Sequence, residues 1–366
     1  MSSDCHPDNI QKTFLDWVAP RKGRDHYRLY RQLLQSLSQP QVFWTAMSTE
    51  CAALPPRKQK WARWLFFGAV QYLVLGDPAE PLAQFFPASP AFVKSRDASK
   101  AGKTFPEFVR RRSRDLWAIV RNREVQINKL GRLALFAPLF LEVARRFPQP
   151  LAFMDIGCSV GLGLLWPRFR YVYPRHGLIA THNPEHELRC KVRGTPNRPL
   201  NGTLPRPDFL CGIDTAPLSA SNGDDVRWLT ALTGPNDLIG RGRLELGLQL
   251  LTNSKPRIEP GCVLDVLPRL EAEIPKNATM VVYHAMTAHH LREDGKEEGF
   301  QRLLEAISTK RPVVEAAVEW TRNVSNHHTG PTPVHVAVTE WRSGHPNRQI
   351  VAETDSSADG AFLKFL

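Results

Sequence analysis

The sequence has few of the features that mark secreted, membrane-spanning or disulfide-stapled proteins. Its six cysteines among 366 residues include no CxxC pair and no close cluster. The first residues lack the basic and apolar regions of a secretory signal. The longest apolar runs, at 65–75 and 133–144, reach about half of the roughly 20 residues that a membrane-spanning helix needs. We therefore expect a reduced, cytoplasmic protein without a membrane helix.

An excess of charge is also missing from most of the chain, although the formal net charge is +12. Residues 1–148 contain 24 basic and 12 acidic side chains, whereas residues 149–366 contain 24 of each. The excess is therefore a property of the first part, where a basic surface could attract nucleic acid or another anion.

The chain changes in character near residue 148. Up to that point apolar residues recur three and four positions apart, which predicts helices. From about residue 150, short β-branched runs alternate with helical segments, at 151–156, 209–213, 262–264, 280–283, 313–320 and 334–341. We predict an α/β fold with two domains: a helical domain at 1–148 and a Rossmann-like domain at 149–366, with a mainly parallel sheet.

One segment interrupts this alternation. Residues 166–208 contain seven prolines and no clear period, and they are too long for an ordinary strand-to-helix connection. We interpret the segment as an insertion that covers part of the site, and a disordered loop is the alternative.

A glycine turn follows the first predicted strand. Asp155 ends the apolar run, Gly157 and Gly161 allow a tight turn and close helix packing, and Ser159 can cap the next helix. The free N–H groups of such a helix favour an anionic group. The run D-I-G-C-S-V-G resembles motif I of class I S-adenosylmethionine-dependent methyltransferases, with Ser159 in place of a glycine. The resemblance implies that S-adenosylmethionine is the cofactor.

Two further acids extend this pattern. Asp214 ends the second predicted strand, where the resemblance implies contact with the ribose hydroxyls, but it follows Gly161 by 53 residues instead of about 20. Asp265 follows the run at 262–264, where an acid would meet the adenine amino group. A helix-capping aspartate is the alternative for Asp265.

The sequence as a whole resembles a bacterial family known as a domain of unknown function and described as S-adenosylmethionine-dependent methyltransferases. Six segments match in order, at 63–76, 121–140, 154–173, 212–232, 263–270 and 281–291. Residues of the family pattern are present before the first strand, whereas Ile127 and Lys129 depart from it. The matching residues are Arg123, Gln126, Asn128, Gly131 and Arg132. The resemblance implies that Arg123, Asn128 and Arg132 bind substrate or close the site.

Two arginines fall inside an apolar stripe if residues 105–134 form a single helix. Arg112 and Arg123 lie in this stripe, opposite the outward set Arg110, Arg111, Arg114 and Arg121. A charge in an apolar stripe needs a partner, so each should have a carboxylate or an anionic ligand. An internal salt bridge is the alternative to a role in the site.

His284 follows the strand at 280–283, at the end where α/β proteins collect reactive groups. A neutral imidazole there could act as the base or orient the nucleophile. His182, His186 and Cys190 are spaced by four, but Pro184 interrupts them and a fourth ligand is missing, so we predict no metal site.

These observations favour an S-adenosylmethionine-dependent methyltransferase that acts on an unidentified small molecule, one that the inward arginines suggest is anionic. The residues at 21–31 interleave basic side chains with Tyr27 and Tyr30, which also suits nucleic-acid binding, including RNA methylation. A solvated basic face explains the same pattern. A third alternative is a methyltransferase-like protein that binds without catalysis.

Overall fold

The computed structural model describes residues 6–20, 25–37, 39–94, 97–147, 150–320, 334–355 and 358–366. The helices are α1 (Pro7–Val18), α2 (Arg28–Gln35), α3 (Pro40–Ala52), α4 (Pro56–Gln59), α5 (Ala62–Gly76), α6 (Ala101–Arg111), α7 (Ser113–Asn122), α8 (Leu133–Arg146), α9 (Gly223–Ala231), α10 (Leu238–Ser254), α11 (Val263–Glu273), α12 (Ala288–Glu293) and α13 (Glu297–Ser308). The strands are β1 (Leu151–Ile156), β2 (Phe169–Tyr173), β3 (Gly177–Ala180), β4 (His186–Arg189), β5 (Lys191–Arg193), β6 (Gly202–Thr203), β7 (Phe209–Asp214), β8 (Ile258–Pro260), β9 (Thr279–Ala285), β10 (Val313–Trp320), β11 (Val334–Arg342), β12 (His345–Thr354) and β13 (Phe362–Phe365). Short 3-10 turns join some of these elements. Across the described ranges, no helix is both long enough and apolar enough to cross a membrane.

The chain forms two compact units, Met1–Ile127 with Ser221–Leu244 and Asn128–Ala220 with Glu245–Leu366. These units divide the chain by spatial packing, at places that differ from the sequence boundary near residue 148. The two domains predicted from the sequence, 1–148 and 149–366, stay a prediction.

The first unit is helical, which confirms the prediction of an N-terminal helical region. Its core is aromatic, because the apolar faces of α1, α2 and α5 supply large rings that pack edge to face or stacked. Tyr30 is fully buried there and donates a hydrogen bond from its hydroxyl to Gln71 Oε1 at 2.7 Å. Asn222 begins α9 by accepting hydrogen bonds from the backbone N–H groups of Asp224 and Asp225.

The buried ammonium group of Lys58 caps the carboxyl end of α7 in this unit. Lys58 is 7% exposed, and its Nζ lies 3.4 Å from Val120 O and 3.0 Å from Arg123 O. It also donates to the carbonyl of Arg121. The last carbonyls of a helix lack partners within the helix, so the ammonium group satisfies them and complements the helix dipole.

We expect Lys58→Met to lower the free energy of unfolding by about 2 kcal/mol, because it leaves these carbonyls without their donor. Urea denaturation would measure the change. Arg121→Met is the control, since it removes only an exposed ion pair with Glu50 and should change stability by less than about 1 kcal/mol. A Lys58→Met protein as stable as the wild type would contradict the capping role.

The second unit contains a nine-stranded sheet in the order β5-β13-β12-β11-β10-β9-β1-β7-β8. The pairs from β10 through β9, β1 and β7 to β8 are all parallel, whereas β10 to β13 form an antiparallel meander. The mixed α/β fold and the mainly parallel sheet are therefore as predicted. Both faces are covered: α8 packs against one through Phe136 and Phe140, which contact Tyr283, and α11 and α13 pack against the other.

Two local predictions are wrong. Residues 105–134 do not form one helix, because α6 ends at Arg111, α7 ends at Asn122 and the chain is then extended up to a 3-10 turn at Leu130–Arg132. The run at 262–264 is not a strand, since it begins α11, and the strand of this region is β8. The first error arises because the helical spacing of apolar residues continues on both sides of the break between α6 and α7. The second arises because a short apolar run does not distinguish a strand from the start of a helix.

The proline-rich segment 166–208 is ordered. It forms a four-stranded sheet in the order β4-β2-β3-β6, and β5 joins the large sheet beside β13. Tyr173 anchors it by donating a hydrogen bond to Ala134 O of α8 at 2.8 Å. The segment therefore explains the long spacing between the first two parallel strands, since the chain returns to pair β7 directly with β1.

Candidate functional site

The candidate site lies at the carboxyl edge of the parallel strands. Counted along the chain, the five neighbours β8, β7, β1, β9 and β10 are the third, second, first, fourth and fifth strands of this set. In doubly wound sheets of this order, ligands bind beyond the carboxyl ends of the first and fourth strands, where the connections diverge. Here that place is the crevice between the turns that follow β1 and β9.

The turn after β1 is left-handed at three positions. Gly157, Ser159 and Gly161 have φ angles of +72°, +53° and +93°. Gly157 N donates to Ile213 O at 2.8 Å, which fixes the start of the turn against β7. Ser159 thus holds a backbone conformation that costs a non-glycine residue about 1 kcal/mol. Its hydroxyl is buried and has no hydrogen-bond partner among the described residues.

Asp214 joins the second strand to this turn. Its Oδ2 accepts a hydrogen bond from Ser159 N at 2.7 Å, and its Oδ1 accepts one from Ala216 N at 2.8 Å. Two acids predicted from distant parts of the sequence therefore lie near one turn, because β7 pairs with β1 in register with Asp155 opposite Gly212.

Asp155 is a buried acid that accepts no hydrogen bond within the described parts of the chain. It is 7% exposed and lies against Gly163, where a Cβ would overlap its carboxylate. Burial, reinforced by the charge of Asp214, raises the pKa of Asp155 to about 8, although His284 and Arg132 act in the opposite direction. Without a ligand this carboxyl group therefore keeps its proton near pH 7, and a cationic ligand group beside it would lower its pKa and favour the charged form.

The segment before α8 also lies beside the turn. Asn128 Nδ2 donates to Cys158 O at 2.7 Å, and Arg132 Nε donates to Ala358 O at 3.2 Å. Burial lowers the pKa of Arg132 to about 10, although Glu319 and Asp155 raise it. Both residues therefore support the site through backbone carbonyls, and their assignment to substrate binding remains a prediction.

His284, predicted as the base or as the group that orients the nucleophile, lies between two buried carboxylates. It is 3% exposed, with Nδ1 2.7 Å from Glu319 Oε1 and Nε2 3.1 Å from Glu315 Oε1. Burial alone lowers its pKa, but the hydrogen bonds to Glu315 and Glu319 outweigh it and raise the pKa to about 10. The imidazole therefore holds both protons near pH 7 and has no free nitrogen with which to accept one.

Asp155 and His284, both at the carboxyl edge of the parallel strands, project from opposite faces of the sheet. Side chains alternate along a strand, and the pairing sets Asp155 opposite Tyr283 and Ile156 opposite His284. Asp155 therefore projects from the face that α8 covers, whereas His284 projects from the face of α13, where it contacts Phe300. Asp265 is exposed in the first turn of α11.

Arg123 belongs to the first compact unit. It pairs with the carboxylates of Asp224 and Asp225 and lies over the rings of Tyr72 and Trp228. Arg112 likewise pairs with two carboxylates, those of Asp77 and Asp115. The predicted partners of the inward arginines are therefore protein carboxylates, and the outward arginines are exposed as expected. This removes the observation that suggested an anionic substrate.

The two tyrosines of the basic segment pack against other aromatic rings of the first unit. Residues 21–24 lie outside the described residues, Tyr30 is buried in the aromatic core, and Tyr27 contacts Trp17 and Trp64. Arg31 pairs with Asp25. As for metals, the described portion of the chain holds no group of three or more His, Cys, Asp or Glu side chains arranged for an ion.

No local motif predicts the partners of His284. Glu315 and Glu319 are buried in β10 and lie on the same face as His284. No sequence motif predicts a role for Thr287, which lies in the turn after β9. The signal available was the alternation VVEAAVEW, in which two acids fall at even spacing inside an apolar strand next to a histidine-ended strand.

The fold defines a mixed α/β protein with a large, mainly parallel sheet, and the candidate site lies at the carboxyl edge of its parallel strands. Over residues 14–360 the sequence matches the family described as "Uncharacterized protein conserved in bacteria (DUF2332)", and the chain belongs to this family. A search of curated proteins found no significant match. The expected membership of an uncharacterised bacterial family is confirmed, and the family description assigns no activity.

We expect Gly157→Ala to lower the free energy of unfolding by at least about 2 kcal/mol. A Cβ at this left-handed position would lie 2.4 Å from Thr287 Oγ1. Thermal or urea unfolding would measure the loss. Gly223→Ala is the matched control, since its Cβ meets nothing within 4 Å, and it should change stability by less than about 1 kcal/mol. Equal effects of the two substitutions would contradict the packing of Thr287 on the turn.

Proposed function

We propose that the chain binds S-adenosylmethionine at the carboxyl edge of the parallel strands and acts as a methyltransferase. The contact between Ser159 N and Asp214 Oδ2 carries the proposal. It joins the turn after the first strand to the acid after the second, and these are the two elements that hold the cofactor in the class I methyltransferases that the motif resembles.

The polar groups at this edge fit the cofactor. The Ser159 hydroxyl and the Asp155 carboxyl group are both more than nine-tenths buried. The Ser159 hydroxyl has no hydrogen-bond partner within the described residues, and the protein acts on the Asp155 carboxyl through burial and nearby charges. A ligand ammonium group would pair with Asp155, and ribose hydroxyls would donate to the lone pairs that Asp214 keeps beside its two backbone bonds. A buried polar group left unpaired is unfavourable, so a ligand that pairs it binds more tightly.

Bound S-adenosylmethionine supplies an electrophilic methyl group on a sulfonium. The chain would orient the acceptor and exclude water, with Asn128 and Arg132 holding the turn and the 358–360 loop in place. His284 is not assigned as the base, because both of its ring nitrogens are engaged by carboxylates. Asp265 lies exposed in the first turn of α11, and a contact with the adenine amino group would have to be made from there.

Titration calorimetry with S-adenosylmethionine and S-adenosylhomocysteine tests the proposal. We expect both to bind, and we expect methylthioadenosine, which lacks the ammonium and carboxylate groups, to bind at least about tenfold more weakly, since it leaves Asp155 unpaired. No heat from either of the first two ligands at millimolar concentration would overturn the proposal. Equal affinities for all three ligands would remove Asp155 from it.

A further inference from the structure

A buried histidine stands between two carboxylates beside the crevice. His284 contacts Glu319 through Nδ1 at 2.7 Å and Glu315 through Nε2 at 3.1 Å, and all three side chains are buried. Each ring nitrogen faces an acceptor, so each must donate for both contacts to be hydrogen bonds. The ring is then an imidazolium with two charge-assisted hydrogen bonds, which are stronger than neutral ones.

Glu319 connects this histidine to the turn after β9. Its Oε1 also accepts hydrogen bonds from Thr287 N at 2.8 Å and Ala288 N at 3.1 Å. The residue just before them, Met286, has a left-handed φ of +59°. The turn therefore holds a conformation that is unfavourable for methionine. The carboxylate of Glu319 stabilises it together with the hydrogen bond from Met286 N to Val318 O at 3.1 Å.

Thr287 connects the turn after β9 to the turn after β1. Its hydroxyl donates to Ile156 O at 3.1 Å, and its side chain fills the space beside Gly157. The two turns on either side of the crevice are therefore linked through one side chain. A continuous series of contacts runs from His284 through Glu319 and Thr287 to the glycine turn.

We propose that His284 is a positioning residue: as an imidazolium it holds Glu319, and through Thr287 it fixes the glycine turn at Gly157 in its binding conformation. The importance of that conformation for a ligand rests on the proposed function, but the coupling of the two turns does not.

The surroundings of the histidine leave little room for another role. A cavity of about 40 Å³ adjoins it, which is enough for a few water molecules and too small for an organic substrate. The neighbouring charged and polar side chains are Arg292 on α12, Glu297 and Gln301 on α13 and Arg348 on β12. Gln301 Nε2 lies 3.5 Å from Glu315 Oε1, so it touches the other carboxylate and not the one that holds the turn.

Hydrogen exchange of the protein without ligand tests the coupling. In His284→Gln we expect the amides of 157–161 to exchange about ten- to hundredfold faster, the factor that loss of one charge-assisted hydrogen bond implies. Thr287→Val removes the neutral hydrogen bond to Ile156 O, so it should speed exchange at 157–161 by about two- to tenfold and leave 313–320 unchanged. Gln301→Ala is the matched control and should change neither segment.

Faster exchange at 284–293 with no change at 157–161 in His284→Gln would overturn the proposal. If that variant does not fold, Glu319→Gln serves instead, because it keeps an oxygen acceptor for the turn and removes only the charge. No ligand is present, so a failure here is distinct from a failure to bind S-adenosylmethionine.

The charge on the ring is tested separately by ¹⁵N NMR of labelled histidine, with the His284 signals assigned by their loss in His284→Gln. We expect both nitrogens to carry protons at pH 8. A neutral ring at pH 8 would overturn the proposal, whereas a histidine that only fills space could be neutral.

Discussion

Asp155→Asn is expected to raise the free energy of unfolding by about 4 kcal/mol at pH 7. The pKa of Asp155 is raised from 3.8 to about 8 in the folded protein, mainly by burial. Below pH 3.8 the carboxyl is neutral in both states and costs nothing. Between pH 3.8 and 8 the unfolded chain releases the proton and the folded protein keeps it, so stability falls as the pH rises.

The pH profile distinguishes this effect from a change in packing. The stability difference between Asp155→Asn and the wild type should be small near pH 4, grow up to about pH 8 and then stay constant, as followed by urea unfolding across that range. Asp265→Asn is the control, because it removes an exposed acid from a helix start and should lower stability by less than about 1 kcal/mol. A difference that does not depend on pH would contradict the assigned pKa.

The expected loss of stability caused by the buried Asp155 at neutral pH bears on the function of this residue. An acid that destabilises the protein at neutral pH and has no hydrogen-bond partner in the described chain is not explained by folding. Residues that reduce stability in this way concentrate at binding and catalytic sites. Asp155 therefore supports the proposal of a ligand at the sheet edge, beside the contact between Ser159 and Asp214 that carries it.

Asp214→Asn is expected to weaken the binding of S-adenosylhomocysteine by about a hundredfold. It replaces with an amide the carboxylate that accepts from the turn and, in the proposed complex, from the ribose. Calorimetry measures the change. Asp208→Asn is the matched control: Asp208 Oδ2 accepts a hydrogen bond from Leu151 N at 2.9 Å, at the opposite end of β7. It should alter stability and leave affinity within about twofold. Equal losses of affinity would contradict a site at the carboxyl edge.

Sequence patterns were sufficient for the central strands of the fold. The runs at 151–156 and 313–320 are mostly apolar because these strands are buried on both faces, and their bounds match β1 and β10. The strand β12 is mostly exposed and polar at its start, and no hydrophobic pattern reveals it. Pairing between β5 and β13 depends on contacts between segments that are distant in sequence.

The site was accessible from the sequence only in part. The acids Asp155 and Asp214 and the glycine turn were found because strand, acid and glycine are consecutive, and the structure brings them together. The role of His284 could not be predicted from the sequence, because this role depends on Glu319. Glu319 is 35 residues away in the chain and contacts His284 only when β9 and β10 are paired. Charge state follows from such tertiary contacts and not from local sequence.

A crystal structure of the protein with S-adenosylhomocysteine tests the central claim most directly. We expect the ligand in the crevice between the turns after β1 and β9, with its ammonium group at Asp155, its ribose at Asp214 and the Ser159 hydroxyl paired. Ligand density elsewhere on the protein, with Asp155 and Ser159 still unpaired at saturating concentration, would contradict it.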